Sequence, residues 1–120
     1  MRISTVCYIE YQNQILMLYR NKKDLDVNRG KWIGLGGKLE AGESPDEAMK
    51  REVLEESGIA LDNYKTLGLL TFCYEALETE YIFVYKATVD KPDHQPCNEG
   101  ELAWIPKQEI MKLPLWEGDK

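Results

Sequence analysis

Three glutamates with the spacing of one helical face are the strongest sign of chemistry in this chain of 120 residues. Glu52, Glu55 and Glu56 stand at positions i, i+3 and i+4, which in a helix places neighbouring Cβ atoms roughly 5 to 6 Å apart. Such carboxylates repel one another. Mg²⁺ relieves the repulsion because it takes carboxylate oxygens as ligands and keeps waters and substrate phosphate oxygens as the others. The alternative is an acidic face that is simply solvated.

The neighbours of these glutamates favour a site over a solvated face. Ala48 and Met49 lie on or beside the same helical arc, while Asp46 and Lys50 lie opposite, so the acidic face is expected to face something other than solvent. Residues 34–38, just before the helix, read Gly-Leu-Gly-Gly-Lys, where glycines allow close backbone approach. Taken alone, that glycine-rich segment is equally consistent with a turn.

The helix that carries the glutamates has clear start and stop signals. Ser44 can cap a helix that begins at Pro45 and ends near Ser57, and Glu47 completes a capping box with Ser44. Gly58 supplies the left-handed residue that ends it. The pattern therefore predicts a helix over residues 45–57.

The remaining elements are mainly strands. Residues 2–11 and 14–19 are rich in β-branched and aromatic residues and predict a hairpin around the polar link 12–13. A polar, basic loop over 20–32 follows. Further strands are expected at about 66–74, 80–89 and 101–105, with a short helix at about 107–112. Without repeats or linkers, we expect one α+β domain over residues 1–120.

Composition excludes several classes of protein. A formal net charge of −6 argues against binding of duplex nucleic acid, which needs Lys and Arg to neutralise phosphates. The cysteines at 7, 73 and 97 suggest neither a disulfide framework nor a zinc site, and the lone His94 argues against His-dependent nucleophilic catalysis. No apolar run reaches the roughly 20 residues of a membrane span, and no signal peptide is evident. A cytoplasmic location is expected.

The spacing of the site residues resembles a known family. Gly37, then Glu43 after five residues, Arg51 after seven, and Glu52-Val53-Leu54-Glu55-Glu56-Ser57-Gly58-Ile59 match the signature of the Nudix superfamily over residues 37–59. Residues 31–38, 98–104 and 115–119 are similar to segments of the MutT-type 8-oxo-dGTP diphosphatases. The resemblance therefore covers nearly the whole chain.

This resemblance implies a fold and a metal site. The fold would be an α/β/α sandwich with a mixed sheet, and Mg²⁺ or Mn²⁺ would be bound by Glu52, Glu55, Glu56 and the carbonyl of Gly37. Arg51 and Glu43 would pair and hold the loop against the helix, so that the carboxylates are fixed before the metal arrives. On an ordinary helix, Arg51 would instead pair with Glu55 or Glu47.

The resemblance also implies a reaction, in which a metal-activated water attacks phosphorus in a diphosphate linkage. MutT-type members release a nucleoside monophosphate and pyrophosphate. Glu52, Glu56 and Glu99 all remain candidates for the general base. The expected substrate contacts are cations for the phosphates, a tryptophan stacked on the purine and an acid at the base edge: Arg20, Lys23, Lys38, Trp116 and Asp119. Each of the basic side chains could instead lie on the surface without a role in binding. Glu99 could be a solvated surface residue, and Trp116 could be part of the core.

Three departures bear on substrate and assembly. Ile33 stands where some purine-reading relatives carry a polar base contact, and Gly118 replaces one acid of a paired-acid segment. The sequence stops at Lys120, where relatives usually continue into a C-terminal helix, so we expect either a shortened form or a partner, such as a second copy in a homodimer, over the exposed sheet face.

The leading hypothesis is an enzyme that removes oxidised purine triphosphates such as 8-oxo-dGTP. Alternatives are a Nudix hydrolase of an ordinary NTP, ADP-ribose or a dinucleoside polyphosphate, a non-catalytic nucleotide sensor, and an acidic interaction module.

Overall fold

The computed structural model describes residues 2–20, 31–73, 79–97 and 100–112. Within these ranges the chain forms six strands, one α-helix and a short 3₁₀ helix. The strands are β1 (Arg2–Tyr11), β2 (Gln14–Arg20), β3 (Trp32–Ile33), β4 (Tyr64–Cys73), β5 (Thr79–Thr88) and β6 (Gly100–Pro106); the helices are α1 (Pro45–Ser57) and the 3₁₀ helix Lys107–Lys112.

Most of these elements agree with the sequence-based expectation. The hairpin of β1 and β2 is confirmed, and its two-residue turn is formed by Gln12 and Asn13, which both have positive φ, as its tight geometry requires. The three later strands lie within two residues of their expected bounds. The two-residue strand β3 was not expected, and the last helix is 3₁₀ rather than α.

The sheet is mixed, as expected. Its order is β3-β2-β1-β5-β4, with β6 paired to β2. β1 and β5 run parallel from the pair Arg2 and Glu80 to the pair Glu10 and Thr88, while the other strand pairs are antiparallel. β2 pairs with β1 only near the hairpin turn, at Ile9 to Tyr11. The first half of β1 therefore has an edge available for another segment.

The glycine-rich segment occupies that edge. The N–H groups of Thr5 and Cys7 donate to the carbonyls of Gly37 and Leu35 at 2.8 and 2.6 Å, and the N–H of Leu39 donates to the carbonyl of Ile3 at 3.2 Å. This pairing positions the start of the signature segment in the sheet, directly before α1.

Buried side chains lie on both faces of the central strands, whereas most side chains of β4 are exposed. Side chains of β1 alternate, so Cys7 and Ile9 face α1 and join a core that includes Leu35, Met49 and Val53. On the opposite face, Ile15 and Met17 form a second cluster, with partly buried side chains packed against it: Tyr8, Trp32, Ile105 and Ile110. The α+β sandwich is thus confirmed. The question of a C-terminal helix concerns residues outside the described ranges.

The boundaries of α1 are also confirmed. The Ser44 hydroxyl accepts a hydrogen bond from the N–H of Glu47 at 3.2 Å, and the Glu47 carboxylate accepts one from the N–H of Ser44 at 2.8 Å. Gly58 adopts φ of 77° and donates its N–H to the carbonyl of Leu54 at 2.8 Å. Of the helices in the described ranges, none has the length and apolar character needed to cross a membrane.

Candidate active site

Glu56 is the most deeply placed carboxylate of the site. Its residue is only 4% exposed, and its Oε1 accepts a hydrogen bond from the backbone N–H of Gly36 at 2.9 Å. A buried carboxylate is costly without such a donor. The glycine segment and the last turns of α1 therefore meet at Glu56.

Glu52 lies one turn earlier and faces the next glycine. A Cβ at Gly37 would overlap the Glu52 carboxylate, and a Cβ at Gly36, whose φ is +148°, would overlap the carbonyl oxygen of Thr5. Glycine is needed at both positions because the backbone lies so close to β1 and to the carboxylate. The spacing of these glycines is thus explained by contact rather than by a turn alone.

The carbonyl of Gly37 was expected to help bind the metal. It accepts hydrogen bonds from the N–H of Thr5 at 2.8 Å and from the Thr5 hydroxyl at 3.3 Å, so it is directed towards β1. Its role as a metal ligand stays a prediction. Within the described residues, Gly37 instead makes room for Glu52.

Arg51 connects the loop to the helix, and every N–H group of its guanidinium has an acceptor. Nε and Nη2 donate to the two oxygens of Glu43 at 2.7 and 3.1 Å, and Nη2 also donates to the carbonyl of Lys38 at 3.1 Å. Nη1 donates to Glu52 at 2.7 Å and to Glu55 at 3.1 and 3.2 Å. The expected pair with Glu43 and the alternative i,i+4 pair with Glu55 are both present.

Several acidic side chains surround the single guanidinium of Arg51. Four carboxylates lie within 4 Å of the Arg51 guanidinium: those of Glu40, Glu43, Glu52 and Glu55. Hydrogen bonding to Glu43, and then to Glu52 and Glu55, raises the pKa of Arg51 despite its desolvation. The Arg51 side chain, together with the N–H of Glu40, lowers the pKa of Glu43. One positive charge among four negative ones leaves an excess of negative charge that a divalent cation would partly neutralise.

The donor set fits a hard cation, although the three predicted ligands do not converge. Glu52 and Glu56 face the glycine segment, whereas Glu55 is 55% exposed and bound to Arg51. Over the described ranges, no three or more His, Cys, Asp or Glu side chains are grouped closely enough to hold a metal ion. The carboxylates supply the oxygen ligands that Mg²⁺ prefers, but Glu55 would have to move to join the other two.

The other expected site residues are only partly described. Lys38 is exposed directly after Gly37, and its backbone forms a bridge with Ser4 of β1. The backbone of Arg20 pairs with Gly100 at the end of β2, while its side chain lies outside the description. Four further candidates also lie outside the described residues: Lys23, Glu99, Trp116 and Asp119.

The structure also shows polar contacts that the sequence did not predict. The Tyr85 hydroxyl donates to Oδ1 of Asp46 at 2.6 Å, and the Tyr64 hydroxyl donates to Oδ2 at 3.1 Å, so the first turn of α1 is bound to β5 and β4. On the opposite sheet face, Ser4 donates to Glu80 at 2.7 Å, and both residues are buried. These partners are far apart in sequence, and no local pattern signals them.

Comparison with known proteins adds a family to this geometry. The model of the NUDIX domain family matches residues 1–120. An oxidized purine nucleoside triphosphate hydrolase from Danio rerio is 34% identical over 92 residues, which cover 75% of this chain and 58% of that protein. The uncharacterized Nudix hydrolase YvcI of Bacillus subtilis is 30% identical over 120 residues, covering 96% of this chain and 72% of that protein.

Structural similarity extends over nearly the whole chain. A mutator MutT protein from Bacillus halodurans superposes with a TM-score of 0.84 at 33% identity, covering 99% of this chain and 77% of that one. The chain thus spans most of the MutT structure but little more than half the length of the Danio rerio relative.

Proposed function

Because the chain belongs to the Nudix hydrolase family, we propose that it hydrolyses nucleoside triphosphates at a diphosphate linkage with the help of Mg²⁺ or Mn²⁺. The observation that carries this proposal is the placement of Glu52 and Glu56. One carboxylate lies against Gly37 and the other accepts the N–H of Gly36, at a point where acidic groups exceed basic ones. Such a site attracts a cation that is in turn attracted to phosphate.

The proposed metal ligands are Glu52, Glu55, Glu56 and the carbonyl of Gly37. When bound, the cation would neutralise charge on the phosphates and lower the pKa of a bound water. Arg51 and Glu43 keep the loop and the helix in register, so Glu52 and Glu56 need little reorganisation, whereas Glu55 must first leave Arg51. One of three carboxylates, Glu52, Glu56 or Glu99, takes the proton of the attacking water.

The remaining contacts are assigned by charge and shape. The exposed ammonium of Lys38 directly follows the glycines that contact the acidic residues, so it can meet phosphate oxygens that the metal leaves uncovered. Arg20 and Lys23 are proposed for the same task. Trp116 would stack on the base and Asp119 would accept hydrogen bonds from its edge.

The preferred substrate is proposed to be an oxidised purine triphosphate such as 8-oxo-dGTP, converted to the monophosphate and pyrophosphate. Support comes from the activity named for the Danio rerio relative. Ile33 is the feature that speaks for another substrate. It pairs with Leu18 across β3 and β2 and is partly buried, and its side chain offers no hydrogen bond to a base. An ordinary NTP, ADP-ribose or a dinucleoside polyphosphate is therefore the alternative.

The setting follows from this function. Removal of oxidised triphosphates before polymerases use them would make the protein part of DNA repair in the cytoplasm. The ligand would be a small nucleotide, and a homodimer remains a prediction.

A metal-dependent hydrolysis panel tests the activity. Purified protein is incubated with dGTP, 8-oxo-dGTP, other NTPs, ADP-ribose and a dinucleoside polyphosphate, with and without Mg²⁺, and products are identified. We expect pyrophosphate from triphosphates and the highest kcat/KM for an oxidised purine. If no triphosphate yields pyrophosphate, the proposal is wrong. If ADP-ribose or a dinucleoside polyphosphate gives the highest kcat/KM, only the assignment of the preferred substrate is wrong.

Two variants with the same change of charge test the site. Glu56→Gln is expected to lower kcat by about 100-fold or more, because the metal supplies several kcal/mol of charge stabilisation. Asp62→Asn, in the exposed loop after α1, serves as the control and should leave kcat unchanged. Equal turnover by the two variants would refute the metal assignment.

A further inference from the structure

The Arg51 guanidinium has two edges with different partners. The edge formed by Nε and Nη2 binds both oxygens of Glu43 and the carbonyl of Lys38. The other edge, Nη1, binds Glu52 and Glu55. The first set ties the loop to the helix, while the second consists entirely of proposed metal ligands.

The two edges also differ in their exposure to solvent. The side chain of Glu43 is 17% exposed, whereas that of Glu55 is 55% exposed. Glu43 and Arg51 form a forked pair with two nearly parallel hydrogen bonds, the stronger arrangement of the two. An exposed i,i+4 pair such as Arg51 and Glu55 is weak by comparison. The contact between Glu55 and Arg51 should therefore be the first to break when another cation competes for the carboxylate.

Glu52 and Glu55 are held in different ways. Glu52 places one oxygen on Nη1 and the other against Gly37, so it meets Arg51 and the glycine segment together. Both oxygens of Glu55 lie on Nη1, at 3.1 and 3.2 Å. Glu55 is thus turned to Arg51 and must leave it before it can serve as a ligand beside Glu52 and Glu56.

We propose that Arg51 Nη1 and a divalent cation compete for Glu55, so that Glu55 joins the metal site last, while the Nε and Nη2 edge keeps its hold on Glu43. This inference rests on the metal site proposed above. The cation replaces the positive charge that Glu55 loses on leaving Arg51, and the local excess of carboxylates makes the exchange feasible. Arg51 is thereby a positioning residue with a fixed edge and an exchangeable edge.

Arginine side-chain NMR observes the two edges directly. In a titration with Mg²⁺, the Nε–H signal of Arg51, assigned by its loss in Arg51→Lys, should keep its position and its protection from exchange with water. Because Glu52 also accepts from Nη1, only the Nη1 hydrogen that is bonded to Glu55 should lose protection as Glu55 is released. Glu55→Gln should show this hydrogen unprotected more readily without metal. Nη1 protection unchanged at saturating Mg²⁺ would overturn the competition.

Calorimetry with Mg²⁺ and Mn²⁺ measures the consequence for affinity. Glu55→Gln should weaken binding of the cation by no more than about fivefold, because the contact that Glu55 would give the cation is offset by the contact with Arg51 that no longer has to be broken. Glu56→Gln, which removes a ligand that needs no such exchange, should weaken binding far more. Equal weakening by the two variants would contradict the late entry of Glu55, provided that their melting curves show folded proteins.

The same titrations separate failure of this inference from failure of the proposed site. Loss of cation binding in Glu56→Gln, together with the small change in Glu55→Gln, supports both. Absence of cation binding in the unmodified protein, or normal binding in Glu56→Gln, overturns the metal site itself. Equal loss of cation binding in Glu56→Gln and in Glu55→Gln overturns only the late entry of Glu55, and because the Glu55 side chain is exposed, that variant should fold.

Discussion

Glu56 accepts a hydrogen bond from the backbone N–H of Gly36, a residue 20 positions earlier in the chain, at 2.9 Å. This contact joins the only α-helix in the described residues to the glycine segment that pairs with β1. A carboxylate with this degree of burial requires a donor, and a backbone donor cannot rotate away. The geometry of the site therefore depends on how closely the glycine segment approaches α1.

The close approach at Gly37 predicts a loss of function in Gly37→Ala. The added Cβ would overlap the Glu52 carboxylate and displace it. We expect metal affinity or kcat to fall about 10- to 100-fold, as is typical when the groups that orient metal ligands are disturbed. Calorimetry and initial rates measure this.

Gly68→Ala is the matched control, because a Cβ at Gly68 would meet no atom within 4 Å. Its metal affinity should equal that of the unmodified protein. If the two alanine variants bind metal equally well, the contact between Gly37 and Glu52 does not position the ligand.

The ion pair of Glu43 and Arg51 predicts a dependence of stability on pH. The pair lowers the pKa of Glu43 below its ordinary value of 4.5, so Glu43 binds its proton less readily in the folded than in the unfolded protein. Its contribution is present above about pH 4.5 and is lost as the pH falls through the lower pKa of the folded state. Urea unfolding between pH 7 and pH 3 should show a shallower decline for Glu43→Gln than for the unmodified protein.

Part of the decline should remain in that variant, because Lys107 and Lys86 lower the pKa of Glu10 as well. Glu101→Gln, which changes an exposed glutamate of β6, should retain the original slope. Identical slopes for Glu43→Gln and the unmodified protein would show that the pair with Arg51 does not stabilise the fold.

The hydrogen bond from Tyr85 to Asp46 predicts a loss of stability in Tyr85→Phe. The hydroxyl donates at 2.6 Å to a carboxylate in the first turn of α1, and burial followed by the neighbouring Asp46 raises the pKa of Tyr85. Removal of a hydrogen bond to a charged group costs about 1.5 to 3 kcal/mol, and the Phe ring still fills the core. Denaturant unfolding measures the difference.

Tyr64→Phe provides the comparison, since its hydroxyl contacts the same carboxylate at 3.1 Å in an exposed position. It should lower the free energy of unfolding by less than Tyr85→Phe. The reverse order would mean that the buried hydroxyl does not hold the helix.

Thiol reactivity should distinguish the three cysteines. Cys73 is exposed, while Cys7 and Cys97 are buried, and burial raises the pKa of Cys7 to about 12. Only a thiolate reacts rapidly with a disulfide reagent. We therefore expect one fast thiol per chain at pH 8 in the native protein and three in denaturant. Fast reaction that persists in Cys73→Ser would contradict this assignment.

Local sequence determined those features whose interacting residues lie only a few positions apart in the chain. The capping box of Ser44 and Glu47, the stop at Gly58 and the two-residue hairpin link all formed as expected, because their donors and acceptors are a few residues apart. The pair of Arg51 and Glu43 was implied by the resemblance to the Nudix signature, and it is present in the structure.

Only the tertiary structure decided which partner each of the three glutamates contacts. Helical spacing places them on one face, but whether each carboxylate meets a glycine backbone or a guanidinium depends on the segment that packs there. Glu56 meets Gly36, Glu52 lies against Gly37, and Glu55 turns to Arg51. Asp46 is a parallel case, since Tyr85 reaches it from 39 residues away. Local spacing determines on which face of the helix a side chain lies, whereas the packing of the sheet against the helix determines which group it contacts.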